Sequence, residues 1–108
     1  MQTLVQVICT KGKSLRDSIV NDSKIELHDL QVGLQKKPGR SRGWAKIYST
    51  RPDRRGVLNI TWNSSVNILL CRVVTKGEAK PHLIIGDFVD YLLHRCRRRI
   101  ETINIVPR

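Results

Sequence analysis

The stretch that decides the fold is residues 44–76, which read WAKIYSTRPDRRGVLNITWNSSVNILLCRVVTK. Three runs within it, 44–50, 57–63 and 66–76, are rich in aliphatic, β-branched or aromatic residues, and turn-forming residues separate them. In the second run Leu58, Ile60 and Trp62 alternate with polar residues, which is the period of a strand that buries one face. Short, turn-rich connectors between such runs predict an antiparallel meander of strands.

The segments on either side of the meander extend it into an α+β domain. Residues 3–10 and 102–106 are predicted as strands, and 24–32 as a strand whose apolar phase shifts at Leu30. A short helix is predicted over 14–21 with Ser14 as its N-cap, and a longer helix over 87–99. The order β-α-β-β-β-β-α-β predicts a single domain over 1–108, with a mostly antiparallel sheet of about five to six strands and two helices on one face.

The longer helix has an apolar stripe at the spacing of one buried face. The residues predicted to be buried on this stripe are Val89, Leu92, Leu93, Cys96 and Ile100. The residues predicted on the opposite, solvent-facing side are Asp87, Tyr91, His94, Arg95 and Arg98.

The formal net charge of +11 is concentrated in two segments. Residues 34–56 carry eight basic residues against Asp53, and residues 94–108 carry five arginines against Glu101. The rest of the chain is balanced, with equal numbers of basic and acidic residues in 1–33 and in 57–93. Clustered Lys and Arg are typical of a phosphate-binding surface, so we expect a polyanionic partner, with nucleic acid, RNA or DNA, as the main expectation. Segment 34–43 contains proline, glycine and four like charges, and it is predicted to be a mobile basic loop.

Aromatic and polar residues accompany these charges on the predicted sheet. The strand period places Trp44, Lys46, Tyr48, Asn59 and Thr61 on the face that the helices leave open. Rings interleaved with cations suit single-stranded nucleic acid, since bases stack on rings and cations hold phosphates. The residues predicted to make these contacts are Lys36, Lys37, Arg40, Arg42, Trp44, Lys46, Tyr48, Arg51, Arg54, Arg55, Arg95, Arg97, Arg98 and Arg99.

Two alternatives apply to parts of this surface. The rings of Trp44 and Tyr48 would instead pack in the core or in a homodimer interface, as aromatic residues in strands usually do. The arginines at the end of the longer helix would instead be solvated residues that compensate the helix dipole.

Neither a cofactor nor a metal site is predicted. Cys9, Cys71 and Cys96 are odd in number and widely spaced, which is typical of buried thiols in a reducing compartment. No apolar stretch reaches the roughly 18 residues that cross a bilayer, and the N-terminus lacks the pattern of a secretory signal. We therefore expect a cytoplasmic protein without a membrane partner.

Enzyme motifs such as a Walker loop, HExxH or GxSxG do not occur in the sequence. The main hypothesis is accordingly a non-enzymatic nucleic-acid-binding protein. One alternative is a small metal-free ribonuclease, in which His28 and Tyr48 would perform acid–base steps beside arginines. The other is an adaptor that docks on an acidic protein through the same cations. The sequence resembles no family closely enough to name.

Overall fold

The computed structural model describes residues 2–33, 44–75 and 80–107. These residues form six strands in one sheet: β1 Gln2–Cys9, β2 Leu30–Gly33, β3 Trp44–Ser49, β4 Val57–Asn63, β5 Ile68–Val74 and β6 Ile100–Val106. They also form two α-helices, α1 Leu15–Val20 and α2 His82–Arg95, and two 3-10 helices, Ile25–His28 and Arg97–Arg99. No helix in these described ranges is long and apolar enough to span a membrane.

The sheet has the strand order β2-β3-β4-β5-β1-β6, and every neighbouring pair is antiparallel. Strands β2 to β5 follow one another as a meander, as the alternating pattern predicts. The first strand then pairs with β5 on one side and with β6 on the other. The α+β class and the order of strands and helices predicted from the sequence are therefore confirmed.

One face of the sheet holds the core. Cross-strand pairing places Val5 beside Cys71, Cys71 beside Ile60, and Ile60 beside Ala45, and all four are buried. The buried side chains of both helices belong to the same apolar cluster, which for α1 means Leu15 and Ile19. Both helices therefore cover this face, and the opposite face of the sheet stays uncovered by them.

The predicted start of α1 is confirmed, because the Ser14 hydroxyl accepts a hydrogen bond from the backbone N–H of Asp17 at 3.2 Å. The strand predicted over 24–32 is wrong in its first half. Residues Ile25–His28 form a 3-10 helix, and Asp29 then adopts a left-handed conformation with φ of 59°. Asp tolerates this conformation, and the reversal there starts β2 at Leu30. The shift in the alternation of apolar residues at Leu30 corresponds to this change from a 3-10 helix to a strand.

The longer helix differs from its prediction in bounds and in its buried face. It begins at His82, directly after Pro81, whose fixed φ suits a helix start, and it ends at Arg95. The three residues that follow Cys96 form a 3-10 helix, and Ile100 already belongs to β6. The buried positions run from the first turn at helical spacing: Ile84, Ile85, Phe88, Tyr91 and Leu92.

Two residues of α2 consequently lie on the side opposite to their prediction. Tyr91, predicted to face solvent, is fully buried, and Leu93, predicted to be buried, is 49% exposed. The phenol of Tyr91 enters the core because its hydroxyl donates a hydrogen bond to Asp22 at 2.9 Å.

Candidate nucleic-acid interface

The sheet face opposite the helices, called the open face below, carries polar and aromatic side chains in rows across the strands. Lys46 pairs with Asn59 across β3 and β4, and Asn59 pairs with Arg72 across β4 and β5. The next row in one direction contains Trp44 and Thr61. Trp44, Lys46, Tyr48, Asn59 and Thr61 therefore share one face, as the strand period predicts.

Arg72 is a further cation of the open face and is absent from the contact residues predicted from the sequence. It lies in β5 between Cys71 and Val73, which are buried, and its own side chain is exposed on the open face. The alternation of these three residues could have placed it there, but the balanced charge of residues 57–93 drew attention away from it. With Arg72 included, two cations flank Asn59 in a row that crosses three strands.

The two aromatic residues of β3 differ in accessibility. The residue Trp44 is 8% exposed, and the ammonium nitrogen of Lys46 lies 5.6 Å from its ring centroid. Tyr48 is partly exposed and lies across Gly33 of the neighbouring strand, where a Cβ would meet the tyrosine hydroxyl oxygen at 1.5 Å. Tyr48 therefore offers the more accessible ring, and the absence of a side chain at Gly33 provides the space in which that ring rests.

Two of the three arginines in the β3–β4 connector are held by carboxylates. Arg51 Nε donates to Asp29 Oδ2 at 2.8 Å. Arg54 donates to Asp53 and, through Nε at 3.0 Å, to Asp87 of α2. Hydrogen bonding to Asp87 raises the pKa of the Arg54 guanidinium. These two arginines attach the connector to the rest of the fold, and only Arg55 of this group lies exposed without an ion pair to a described residue.

The C-terminal arginines divide in the same way. Arg95 donates to both carboxylate oxygens of Asp22, at 3.1 and 3.0 Å. Arg99 donates to the backbone carbonyls of Thr10 and Lys13, at 3.4 and 2.6 Å. The exposed pair Arg97 and Arg98 makes no ion pair within the described part of the chain. Two of the four C-terminal arginines predicted to contact nucleic acid, Arg95 and Arg99, therefore make hydrogen bonds within the fold.

The connector and the C-terminal arginines lie at opposite ends of the sheet. The connector follows Tyr48, whose row contains Val57 and Val74, at the end where β1 begins. Arg97 and Arg98 precede Ile100, which pairs with Cys9 where β1 ends. The eight residues of β1 span about 25 Å, so the open face lies between two separate basic ends. Four other predicted contact residues lie outside the described ranges, as does the predicted mobile loop: Lys36, Lys37, Arg40 and Arg42.

The histidine proposed for ribonuclease chemistry has different neighbours from those in that hypothesis. The His28 ring lies 5.0 Å from the His94 ring and 5.4 Å from the Tyr91 ring, centroid to centroid, where the first 3-10 helix meets α2. Tyr48 lies on the open face, on the other side of the sheet. The structure therefore does not bring His28 and Tyr48 together.

The cysteines behave as small apolar side chains. Cys9 and Cys71 are buried and Cys96 is partly buried, and burial raises the pKa of all three thiols. Among the described residues, no group of three His, Cys, Asp or Glu side chains could hold a metal ion.

The chain matches no family model, no curated protein and no solved structure. The chemistry of the open face is therefore the basis on which a function can be inferred.

Proposed function

We propose that this protein binds single-stranded nucleic acid on the open face of its sheet. The observation that carries the proposal is the row Lys46, Asn59 and Arg72, which sets two cations and an amide side by side across three strands. A sheet face that the helices leave uncovered, and that presents cations, an amide and an aromatic ring among apolar side chains such as Val57 and Leu70, is a suitable platform for an extended strand of nucleic acid. Phosphates would contact the cations while bases lie against the ring and the apolar surface.

The accessible ring of Tyr48 adds a stacking surface to this platform. Tyr48 follows Lys46 by two residues in β3, so its ring lies in the row next to Lys46, Asn59 and Arg72, which is called the cation row below. Stacking on an aromatic ring contributes about 1–3 kcal/mol per base and tolerates any base, since every base has a π face. Tyr48 is therefore expected to favour unpaired strands over duplex, in which the bases are already stacked on each other.

The distribution of partners among the arginines supports the same surface. Arg51, Arg54, Arg95 and Arg99 donate to groups within the fold, so their hydrogen-bonding capacity is partly used. Arg55 and Arg72 are exposed and make no ion pair with a described residue, so their charge is available to a phosphate. Among the described arginines without an ion pair, Arg55 and Arg72 lie on or beside the open face, and Arg97 and Arg98 form a second, distant pair.

A comparison of two double variants tests the location. Lys46→Gln with Arg72→Gln removes two charges from the open face, and Arg97→Gln with Arg98→Gln removes two charges from the far end of the molecule. Fluorescence anisotropy with labelled single strands should show at least a tenfold loss of affinity for the first variant and less than a threefold loss for the second. Equal losses would show that binding follows net charge alone and would contradict the open face as the site.

The nature of the partner needs a separate measurement. Wild-type protein should bind single strands more tightly than duplex of the same length, and Tyr48→Ala should narrow that difference. Absence of binding to any nucleic acid at low salt would overturn the proposal. Capture of an acidic protein after nuclease treatment would then favour the adaptor hypothesis.

A further inference from the structure

The open face contains a pocket beside the cation row. It has a volume of about 460 Å³ and is lined by Lys46, Arg55, Gly56, Val57, Asn59 and Val74. Backbone and aliphatic groups from Gly56, Val57 and Val74 supply its apolar part, and the other three residues supply its polar groups. The pocket lies where the β3–β4 connector returns to the sheet, so two connector residues and four strand residues converge on it.

Its polar groups are hydrogen-bond donors. The ammonium group of Lys46 and the guanidinium group of Arg55 can only donate. Asn59 has one donor group and one acceptor, but its acceptor oxygen Oδ1 is covered and has no hydrogen-bond partner. The side chain can therefore present its NH₂ group to a ligand, while its acceptor is enclosed. None of the described residues that line the pocket is acidic.

The two consecutive arginines before the pocket show how the fold separates their roles. Arg54 is only partly exposed and is held by Asp53 and Asp87, so its charge is compensated. Arg55 is exposed, has no ion pair with a described residue, and lines the pocket. Gly56 follows with φ of +132°, a conformation that side chains disfavour, and a Cβ there would meet Thr75 Cγ2 at 2.9 Å. The glycine lets the chain enter β4 close to β5, with Arg55 at the pocket.

We infer that this pocket, called the donor pocket below, is a phosphate-binding subsite that holds one phosphate group of the bound strand. The inference rests on the proposed function and deepens it. Two uncompensated cations and an amide donor beside apolar surface suit an anionic oxygen cluster, because charge-assisted hydrogen bonds strengthen where water is partly excluded. Either an internal phosphodiester or a terminal phosphate would supply these acceptors, and the probes below distinguish the two sources.

The test uses amide NMR spectra of the intact protein titrated with three probes: inorganic phosphate, a dithymidine with one internal phosphodiester, and the same dinucleotide with a 5′-phosphate. Binding should produce saturable shifts of the Gly56 and Val57 amides and of the Asn59 side-chain NH₂. Stronger binding of the 5′-phosphorylated probe identifies a terminal phosphate, and equal binding of the two dinucleotides identifies an internal one. The inference would be overturned if none of the probes produced shifts, or if the shifts appeared only at residues away from the pocket.

Matched variants assign these shifts to the pocket. Asn59→Asp replaces the donor with a carboxylate and should weaken binding of every probe by about tenfold or more. Asn104→Asp makes the same change on the same face but on β6, three strands from β4, and should leave binding within about twofold. Arg55→Gln, at an exposed connector position, should reproduce the loss without altering a strand, and Arg98→Gln is its control.

The inference and the proposed function fail in different ways. If Arg55→Gln leaves the binding of every small probe unchanged, while Lys46→Gln with Arg72→Gln still weakens the binding of long single strands, the donor pocket is not a subsite and the inference is overturned, while the proposed function stands. If the small phosphate probes bind at the pocket but no single strand binds at any salt concentration, the donor pocket is supported as a phosphate site and the proposed function is overturned.

Discussion

Asp22 connects three parts of the fold through one carboxylate. It accepts hydrogen bonds from the Tyr91 hydroxyl at 2.9 Å and from Arg95 at 3.0 and 3.1 Å, residues that follow it by 69 and 73 positions. The backbone N–H of Lys24 donates to the same side chain. Hydrogen bonding to Arg95 is the main cause that lowers the pKa of Asp22 from 3.8 to about 2. Helix α2 is thereby tied to the segment that follows α1.

The lowered pKa of Asp22 predicts a pH-dependent contribution to stability. A carboxyl group whose pKa is lower in the folded state stabilises that state above its unfolded pKa, and the contribution disappears as pH falls toward the folded value. Asp22→Asn should therefore lower the free energy of unfolding by about 2 kcal/mol at pH 7. The difference from the wild type should shrink between about pH 4 and pH 2. Urea denaturation of both proteins at several pH values measures this difference.

Tyr91→Phe serves as the control for the Asp22 prediction. It removes one hydrogen bond to Asp22 but keeps the ring in the core and leaves the ion pair with Arg95 intact. Tyr91→Phe should lower the free energy of unfolding by about 1 kcal/mol, which is less than the effect of Asp22→Asn. Most of the pH-dependent contribution of Asp22 to stability should remain in this variant. A stability gap between wild type and Asp22→Asn that is constant from pH 7 to pH 2 would contradict the role of this carboxylate.

Gly56 gives a second prediction at the scale of a residue. Its φ of +132° and the 2.9 Å approach to Thr75 Cγ2 leave no unstrained place for a Cβ. Gly56→Ala should therefore destabilise the protein by about 1–3 kcal/mol, measurable as a lower melting temperature. Gly86→Ala is the matched control, since a Cβ at Gly86 meets nothing within 4 Å, and alanine there should be neutral or stabilising. Equal effects of the two substitutions would show that Gly56 is not constrained.

At the scale of an element, α2 shows what a hydrophobic stripe can and cannot predict. With a start at Asp87, the spacing of Val89, Leu92 and Leu93 predicts the buried stripe and places Tyr91 on the opposite side. The helix actually begins at His82, and its stripe continues from Ile84 in the first turn. The earlier start rotates the stripe onto Ile84, Ile85, Phe88, Tyr91 and Leu92, and the hydroxyl of the buried Tyr91 finds its hydrogen-bond partner in Asp22, which is far away in the chain. Periodicity predicts the helix, but the buried face depends on where the helix begins.

Two adjacent leucines in α2 test that rotation. Leu92 is fully buried and Leu93 is 49% exposed. Leu92→Ala should cost about 2–5 kcal/mol, because it leaves a cavity in the core, whereas Leu93→Ala should cost less than about 1 kcal/mol. Chemical denaturation of the two variants measures both values. Similar losses would mean that the face of α2 against the sheet is assigned incorrectly.

At the scale of the whole molecule, the order of the elements and the antiparallel meander were predictable because most strands carry their own period and turn residues. The place of β1 between β5 and β6 depends on long-range pairing that no local pattern shows. The alternation in 44–50 and 57–63 also predicted correctly that Lys46 and Asn59 share the open face. The same alternation could not show which arginines are paired with carboxylates and which are not. Arg54 and Asp87 are 33 positions apart, so only the fold shows that Arg54 is paired while the adjacent Arg55 has no ion pair with a described residue. Charge density along the chain predicted where cations are numerous, and tertiary contacts decide which of them remain available.

The slope of log K against log salt measures how many cations of the whole molecule contact phosphates. On single strands, log K changes with log salt by about −0.7 for each phosphate neutralised. If Lys46, Arg55 and Arg72 contact one phosphate each, the slope should be about −2, and four further contacts from segment 34–43 would bring it to about −5. We expect a slope near −5 for the wild type. It should fall to near −2 when the four basic residues of that segment, Lys36, Lys37, Arg40 and Arg42, are replaced by glutamine.

The control for the salt-dependence prediction is the double variant Arg97→Gln with Arg98→Gln, which also removes positive charge but from the distant end of β1. Its slope should stay within about half a unit of the wild-type slope, because counterions are released only where phosphates are contacted. If the C-terminal variant flattens the slope as much per charge as the variant of segment 34–43 does, the bound nucleic acid must extend beyond the open face to that end. A slope near zero for the wild type would contradict phosphate contact at any of these residues, since binding without counterion release does not depend on salt in this way.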